Sequence, residues 1–128
     1  MRRSACLLAL GLAACGGPDR ETFLRDANAV CRDRAASQGA LAGLPREELL
    51  PAQTRVYEQG LAQMRALEPP DDYRHAHEEW VEAAAAEVTA WKRYAAGPEN
   101  AAARERVVTA FEETTKVAKR MGLTTCDS

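Results

Sequence analysis

Apolar residues recur at intervals of three and four through most of this 128-residue chain, and glycine and proline divide them into four runs. This spacing places apolar side chains on one face of an α-helix, whereas a strand needs alternation every two residues. No stretch combines that alternation with the branched or aromatic residues typical of strands. The pattern therefore predicts an all-α fold of four amphipathic helices.

A glycine-containing loop separates the first two helices. We expect the first helix from about residue 20 to residue 37, with Asp19 placed to cap it. A loop follows at residues 39–45, and Pro45 marks the start of the second helix. Pro51 lies inside this second run and removes a backbone hydrogen bond, so either the helix is kinked there or its regular part begins near Pro51. We expect a start at Pro45 with a kink.

Proline and glycine also bound the third and fourth helices. Residues 69–72, two prolines followed by two aspartates, end the second helix and cap the third. The fourth helix is expected from Pro98, a residue suited to the first helical position, to about Met121. Gly122 then supplies a left-handed stop, and Leu123 is placed to fold back onto the last turn in a Schellman motif.

Four helices joined by short breaks favour an antiparallel up-down four-helix bundle, the simplest way to bury four apolar faces. Trp80 and Trp91 supply bulk to a core otherwise rich in alanine. The alternative is that these tryptophans and the tyrosines line a ligand pocket between the helices. On the fourth helix, the residues expected on the apolar face are Ala101, Arg104, Val107, Val108, Phe111, Thr115, Ala118 and Met121.

The N-terminal segment has the pattern of an export signal. Arg2 and Arg3 precede an apolar run at residues 5–14, and this run is too short to span a bilayer. It closes with Leu12-Ala13-Ala14-Cys15, which resembles the lipobox of bacterial lipoproteins.

That resemblance implies a processed and lipid-modified protein. Residues 1–14 are then a signal peptide removed in the mature chain, and Cys15 carries a diacylglyceryl group, often with a further acyl chain such as palmitate on the new N-terminus. Residues 15–19 form a short linker to a helical domain at 20–128. We therefore expect anchoring to the cell membrane, on its extracytoplasmic face, through the lipid on Cys15.

Cys31 and Cys126 are the two cysteines that remain when Cys6 leaves with the signal and Cys15 is lipidated. Exported chains meet an oxidising environment, so we expect Cys31 and Cys126 to form a disulfide. Such a bridge closes nearly the whole domain and contributes up to about 4 to 5 kcal/mol. The alternative is a pair of buried free thiols.

The charge balance and motif content exclude several function classes. Residues 15–128 contain 15 Lys and Arg against 19 Asp and Glu, a net charge of −4, which argues against a nucleic-acid partner and against a polybasic membrane patch. Neither Ser37 nor Ser128 stands in a nucleophile-elbow context, and the chain has no glycine-rich phosphate loop. We expect no enzymatic activity and no cofactor.

One cluster contains side chains that bind metals. Its members are His75, His77, Glu78, Glu79 and Glu82. On a helix His75 shares a face with Glu78, whereas His77 points towards the core side. The His75-x-x-Glu78 spacing is similar to an element of imelysin-like helical proteins, which are linked to iron uptake, although Tyr73 stands where that family has glycine. A solvated helix face is the simpler interpretation, and His75 and Glu78 are the candidates for a metal site.

Three segments together resemble a known group of proteins. They are Ala27-Asn28-Ala29-Val30-Cys31, Leu67-Glu68-Pro69-Pro70 and Gly122-Leu123-Thr124-Thr125-Cys126. This arrangement resembles small alanine-rich helical lipoproteins of the cell envelope of high-GC Gram-positive bacteria, a group that implies fold, export and disulfide but no activity. We expect a lipid-anchored, non-enzymatic module that binds another envelope protein or supports envelope structure. The alternative is a module that binds a small ligand or a metal.

Overall fold

The computed structural model of the protein describes residues 19–126, and this range contains four α-helices and no strand. A 3-10 helical turn at Asp71–Tyr73 precedes the third helix. The predicted all-α class and the number of helices are therefore confirmed. The helices are α1 at Arg20–Gly39, α2 at Arg46–Ala66, α3 at Arg74–Ala96 and α4 at Ala101–Arg120.

The predicted signal peptide and the predicted lipidation site at Cys15 lie outside the described residues, as does the predicted linker except for Asp19. Within residues 19–126, none of the helices combines the length and the apolar character that a membrane span requires. The export and anchoring predictions therefore stay predictions.

The start of α1 is capped as predicted. The Asp19 carboxylate accepts a hydrogen bond from the Thr22 backbone N–H at 2.7 Å, and this bond lowers the pKa of Asp19. The helix continues to Gly39, two residues beyond the predicted end. The Asp19 side chain thus satisfies one of the free N–H groups in the first turn of α1.

The start of α2 also agrees with the sequence. Pro45 is the capping residue, and the helix begins at Arg46. The helix continues through Pro51, which lies on the exposed side. The Thr54 hydroxyl donates a hydrogen bond to the Leu50 carbonyl at 2.9 Å, so this buried polar side chain has a partner within the same helix.

The predicted start of α4 at Pro98 is wrong. Pro98 lies in a turn closed by a hydrogen bond from the Asn100 N–H to the Gly97 carbonyl at 2.9 Å. Asn100 is the cap, and its side-chain oxygen accepts from the Ala103 N–H at 3.1 Å. The asparagine side chain supplies an acceptor for a free N–H of the first turn, whereas the proline side chain has no acceptor. Asn100 therefore determines where the helix starts.

The end of α4 forms the predicted Schellman motif. Gly122 has a φ of +83°, a conformation that favours glycine. Its N–H donates to the Lys119 carbonyl, and the Leu123 N–H donates to the Ala118 carbonyl, both at 3.0 Å. Leu123 is 2% exposed and packs into the core.

Consecutive helices pack against one another, α1 on α2, α2 on α3 and α3 on α4. Trp80 is fully buried in the core that they enclose. The core combines residues of all four helices and the C-terminal tail: Phe23, Ala27, Val30, Cys31, Tyr57, Leu61, Met64, Trp80, Ala84, Val88, Val117, Ala118, Met121, Leu123 and Cys126.

The predicted apolar face of α4 is only partly correct. Val107 is buried, but the adjacent Val108 is 52% exposed and Phe111 is half-buried. Thr114 is buried in place of Thr115. The buried face of α4 includes a threonine because the Thr114 hydroxyl donates to a carbonyl of its own helix, which removes the cost of an unpaired polar group. The inward positions on α4 that the prediction omitted are Ala103, Thr114 and Val117.

Candidate functional site

Cys31 and Cys126 form the predicted disulfide. Their Cα atoms are 5.0 Å apart, and the two residues are 2% and 3% exposed. The alternative of two free thiols is therefore wrong. The bridge joins the inner face of α1 to the last described residue, so the tail that follows Gly122 runs along α1.

Asn28 attaches the same tail through hydrogen bonds. Its side-chain oxygen accepts from the backbone N–H groups of Thr124 and Thr125 at 3.1 and 3.2 Å. The Thr125 hydroxyl lies 2.9 Å from the Asn28 carbonyl, and the Asn28 amide donates to the Leu24 carbonyl at 3.0 Å. Asn28 stands three residues before Cys31, so the cysteine segments that the sequence singled out meet in space. The role of Asn28 was not predicted, although an asparagine between alanines in a helix is a signal.

The metal-site candidates do not converge with other ligands. The side chain of His75 is 86% exposed, and its Nε2 lies 3.6 Å from Glu79 rather than beside Glu78. Glu79 also faces Arg120, at 3.5 Å. Within the described part of the chain, no group of three or more His, Cys, Asp and Glu side chains is placed to hold a metal ion. His75 and Glu78 therefore lie on a solvated face.

His77 turns inward and links two helices. It is 8% exposed, and its Nε2 lies 2.7 Å from the Met64 carbonyl in the last turn of α2. Because a carbonyl only accepts, Nε2 is the nitrogen that carries the hydrogen. The Phe23 ring meets the imidazole edge-on at 5.8 Å. His77 thus adds a side-chain hydrogen bond to the last turn of α2, where the Met64 carbonyl also accepts from the Leu67 N–H at 3.2 Å.

The aromatic residues form two separate groups instead of one pocket. Tyr57 stacks on Trp91 with ring centres 5.1 Å apart, whereas Phe23 packs against Tyr73 at 5.5 Å. Five surface hollows are found between the helices, and none of these five is lined by Trp80, Trp91 or Tyr57. The structure therefore supports the core interpretation of the tryptophans.

Besides Thr54 and His77, four buried polar residues, one from each helix, form a set that we call the buried polar cluster: Arg34, Tyr57, Glu87 and Thr114. Their exposures are 6, 6, 1 and 3%. Sequence reasoning named only Tyr57. The signal for the others was position: Glu87 lies seven residues after Trp80, and Thr114 seven after Val107, so both fall on apolar faces.

The contacts of the buried polar cluster leave the Glu87 carboxylate without a hydrogen bond. The Arg34 guanidinium lies over the Tyr57 ring at 5.3 Å, and the Gln38 amide donates to the Tyr57 hydroxyl at 2.9 Å. The Thr114 hydroxyl donates to the Ala110 carbonyl of its own helix. Neither oxygen of Glu87 has a hydrogen-bond partner of normal geometry among residues 19–126.

Burial determines the electrostatics of this cluster. Burial raises the pKa of the Glu87 carboxyl, and the positive charge of Arg34 with the nearby hydroxyls of Thr114 and Tyr57 offsets only part of that effect. The pKa of the Tyr57 hydroxyl is raised by burial first and by the charge of Glu87 second. The environment of Glu87 therefore keeps its carboxyl neutral to a higher pH in the folded domain than in the unfolded chain.

A surface groove of about 530 Å³ runs between α3 and α4. Its floor consists of alanine and threonine, and Arg93, Glu105 and Arg106 flank it. A second hollow of about 270 Å³ shares Arg93 and Arg106 with this groove. Within residues 19–126, neither arginine forms an ion pair with a carboxylate, so both charges face solvent. We call this feature the arginine groove.

Comparisons with known proteins do not change this description. The chain matched no protein-family model, no curated protein and no solved structure.

Proposed function

We propose that this chain is a lipid-anchored, non-enzymatic protein of the bacterial cell envelope that acts by binding another envelope protein. The disulfide between Cys31 and Cys126 carries the proposal, because such bridges persist mainly in oxidising, extracytoplasmic environments. The bridge uses the two cysteines outside the export pattern. Cys15 is then the cysteine at which lipid is attached, and the membrane is reached through that lipid.

The position of the buried carboxyl supports binding rather than catalysis. Glu87 is the acidic group with the most altered environment, but at 1% exposure it lies out of reach of a substrate. A group that transfers protons to a substrate must come within hydrogen-bond distance of it. The other carboxyl groups of α3 are exposed or half-exposed.

We also propose the antiparallel up-down arrangement of the four helices. Two long-range ion pairs support it: Arg120 at the end of α4 faces Glu79 near the start of α3 at 3.5 Å, and Arg46 at the start of α2 faces Glu99 in the α3–α4 turn at 3.9 Å. In this arrangement α1 begins, and α4 ends, at the end nearest the lipid. The α3–α4 turn then lies at the membrane-distal end.

The arginine groove is the surface that we assign to the partner. Small residues on its floor allow close approach of another helix, and Arg93 and Arg106 offer two unpaired positive charges at its edge. This combination favours a partner helix that carries carboxylates. Because Arg93 lies in the last turn of α3, the groove opens towards the membrane-distal end.

Site-specific photocrosslinking in cells tests this assignment. A photoreactive residue at Thr109, within the groove, should crosslink to one envelope protein, whereas the same residue at the exposed Gln59 of α2 should not. The combined substitution Arg93→Glu and Arg106→Glu should abolish the Thr109 crosslink. Equal capture from Thr109 and Gln59, or capture that survives the charge reversal, contradicts the groove assignment.

The lipid anchor has a separate test. Mass spectrometry of the membrane-extracted protein should find a diacylglyceryl adduct on Cys15, and Cys15→Ala should release the protein from the membrane fraction. An unmodified Cys15 would show that the protein is secreted without an anchor. A metal retained through native purification and lost in His75→Ala would support the alternative of a metal-binding module.

A further inference from the structure

Glu87 places a carboxyl group in the interior of the domain, within the buried polar cluster. Its side chain is 1% exposed, and neither oxygen has a hydrogen-bond partner among residues 19–126. An ionised carboxylate in such a place loses its hydration without replacement, and proteins commonly avoid this cost by neutralising the group. Enclosure of Glu87 by the packed helices therefore favours the protonated form of its carboxyl.

The surrounding helices provide only partial compensation for a negative charge. Arg34 of α1 supplies the positive charge that acts on Glu87, but it stacks over the Tyr57 ring and forms no ion pair within 4.0 Å of Glu87 in the described residues. The Tyr57 hydroxyl of α2 is the other titratable group that faces it. From α4 comes Thr114, which does not titrate and whose hydroxyl donates to Ala110.

We propose that the closed domain binds a proton on Glu87 and releases it when the helices separate, so that the stability of the fold depends on the pH of its surroundings. In the closed domain the proton is bonded to one Glu87 oxygen as a neutral carboxyl. When the core opens, that O–H bond breaks, the proton passes to solvent, and water hydrates the carboxylate. This inference rests on the core alone and does not depend on the proposed lipid anchor or partner.

The direction of the pH dependence follows from the environment of Glu87. Burial raises the pKa of its carboxyl above the ordinary value of 4.5, and Arg34 opposes part of that rise. Above pH 4.5 the unfolded chain has lost a proton that the folded domain keeps. The stabilisation is therefore complete below the ordinary value and is lost as the pH rises through the pKa of the folded state.

Urea unfolding of the purified full-length protein over a series of pH values tests the proposal. Relative to Glu87→Gln, the wild-type unfolding constant should rise by up to about tenfold for each pH unit above the ordinary value, until the folded-state pKa is passed. Glu82→Gln, on the exposed face of the same helix, is the matched control and should show no such difference. A ratio between wild type and Glu87→Gln that is constant, or that falls with pH, overturns the proposal.

A second variant and a spectroscopic measurement address the same proton directly. Arg34→Met keeps the packing of the side-chain stem but removes its charge, so the midpoint of the Glu87 transition should move to higher pH. The infrared spectrum of the folded wild-type protein should contain the carbonyl band of a neutral carboxyl at a pH where the urea-unfolded chain shows none. Absence of that band at every pH above the ordinary value shows that Glu87 is ionised in the folded domain and refutes the inference.

Discussion

Asn28 is the residue through which hydrogen bonding attaches the C-terminal tail to α1. Its single side-chain oxygen accepts two backbone N–H groups, from Thr124 and Thr125. The sequence marked this asparagine only as part of the segment that ends at Cys31. Its function depends on residues almost a hundred positions away, and helical periodicity carries no information on such a contact.

Replacing Asn28 with alanine should destabilise the domain by about 1 to 2 kcal/mol, because the N–H groups of Thr124 and Thr125 lose their acceptor. Asn28→Asp keeps an acceptor at the same position and should retain most of the stability. Urea unfolding under non-reducing conditions measures both variants. Equal stability of Asn28→Ala and the wild type would show that the disulfide alone holds the tail.

At the scale of the helices, Gly122 ends α4 because it adopts a left-handed backbone conformation. Gly122→Ala should destabilise the domain by about 1 kcal/mol, because an L side chain is strained at a φ of +83°. Thermal unfolding followed by circular dichroism measures the change. A stability equal to that of the wild type would indicate that the Schellman turn rearranges without cost.

The same chemical change at Gly60 is the matched control. Gly60 lies inside α2, where an added Cβ meets the nearest atom, Cδ of Arg34, at an ordinary distance of 3.8 Å. Gly60→Ala should therefore stabilise the domain by about 0.5 to 1 kcal/mol, since alanine is the better helix former. Destabilisation would mean that the Arg34 side chain needs the space above Gly60.

Adjacent valines on α4 distinguish the observed buried face from the one that the sequence predicts. Val107 is 7% exposed and Val108 is 52% exposed. Val107→Ala should cost about 1 to 3 kcal/mol in unfolding free energy, whereas Val108→Ala should change it by less than about 0.5 kcal/mol. Similar losses of stability at both positions would contradict the observation that Val107, and not Val108, lies on the buried face of α4.

At the scale of the whole molecule, the disulfide connects residues that are 95 positions apart. Because a bridge across a long segment restricts the unfolded chain strongly, replacing both Cys31 and Cys126 with alanine should cost about 2 to 5 kcal/mol. Denaturant unfolding of the double variant measures this loss, and the wild-type protein under reducing conditions is the control. The proposal that the bridge is a main source of stability fails if both samples unfold at the wild-type midpoint.

Helix class, helix number and the cysteine pair followed from local pattern and composition. Apolar spacing of three and four defines one face of a helix, and glycine and proline end it for steric reasons that act within a few residues. The turn at Gly122 was predicted for the same reason. The helices and the turn depend on neighbours in the chain, which are visible in the sequence, whereas the cysteine pair followed from the number of cysteines that the export pattern leaves.

The interior chemistry was decided by tertiary packing. Glu87, Arg34 and Thr114 fall on apolar faces by periodicity, but periodicity does not show which polar side chains the neighbouring helices will enclose. Which face of α4 is buried depends on how α4 packs against α3, and this packing buries Thr114 and exposes Val108. By itself the sequence determined which segments form helices, though not the first residue of α4, because helix formation depends on local physics. The three-dimensional packing alone decided that a carboxyl group is enclosed without a hydrogen-bond partner, because that requires residues from four helices to meet.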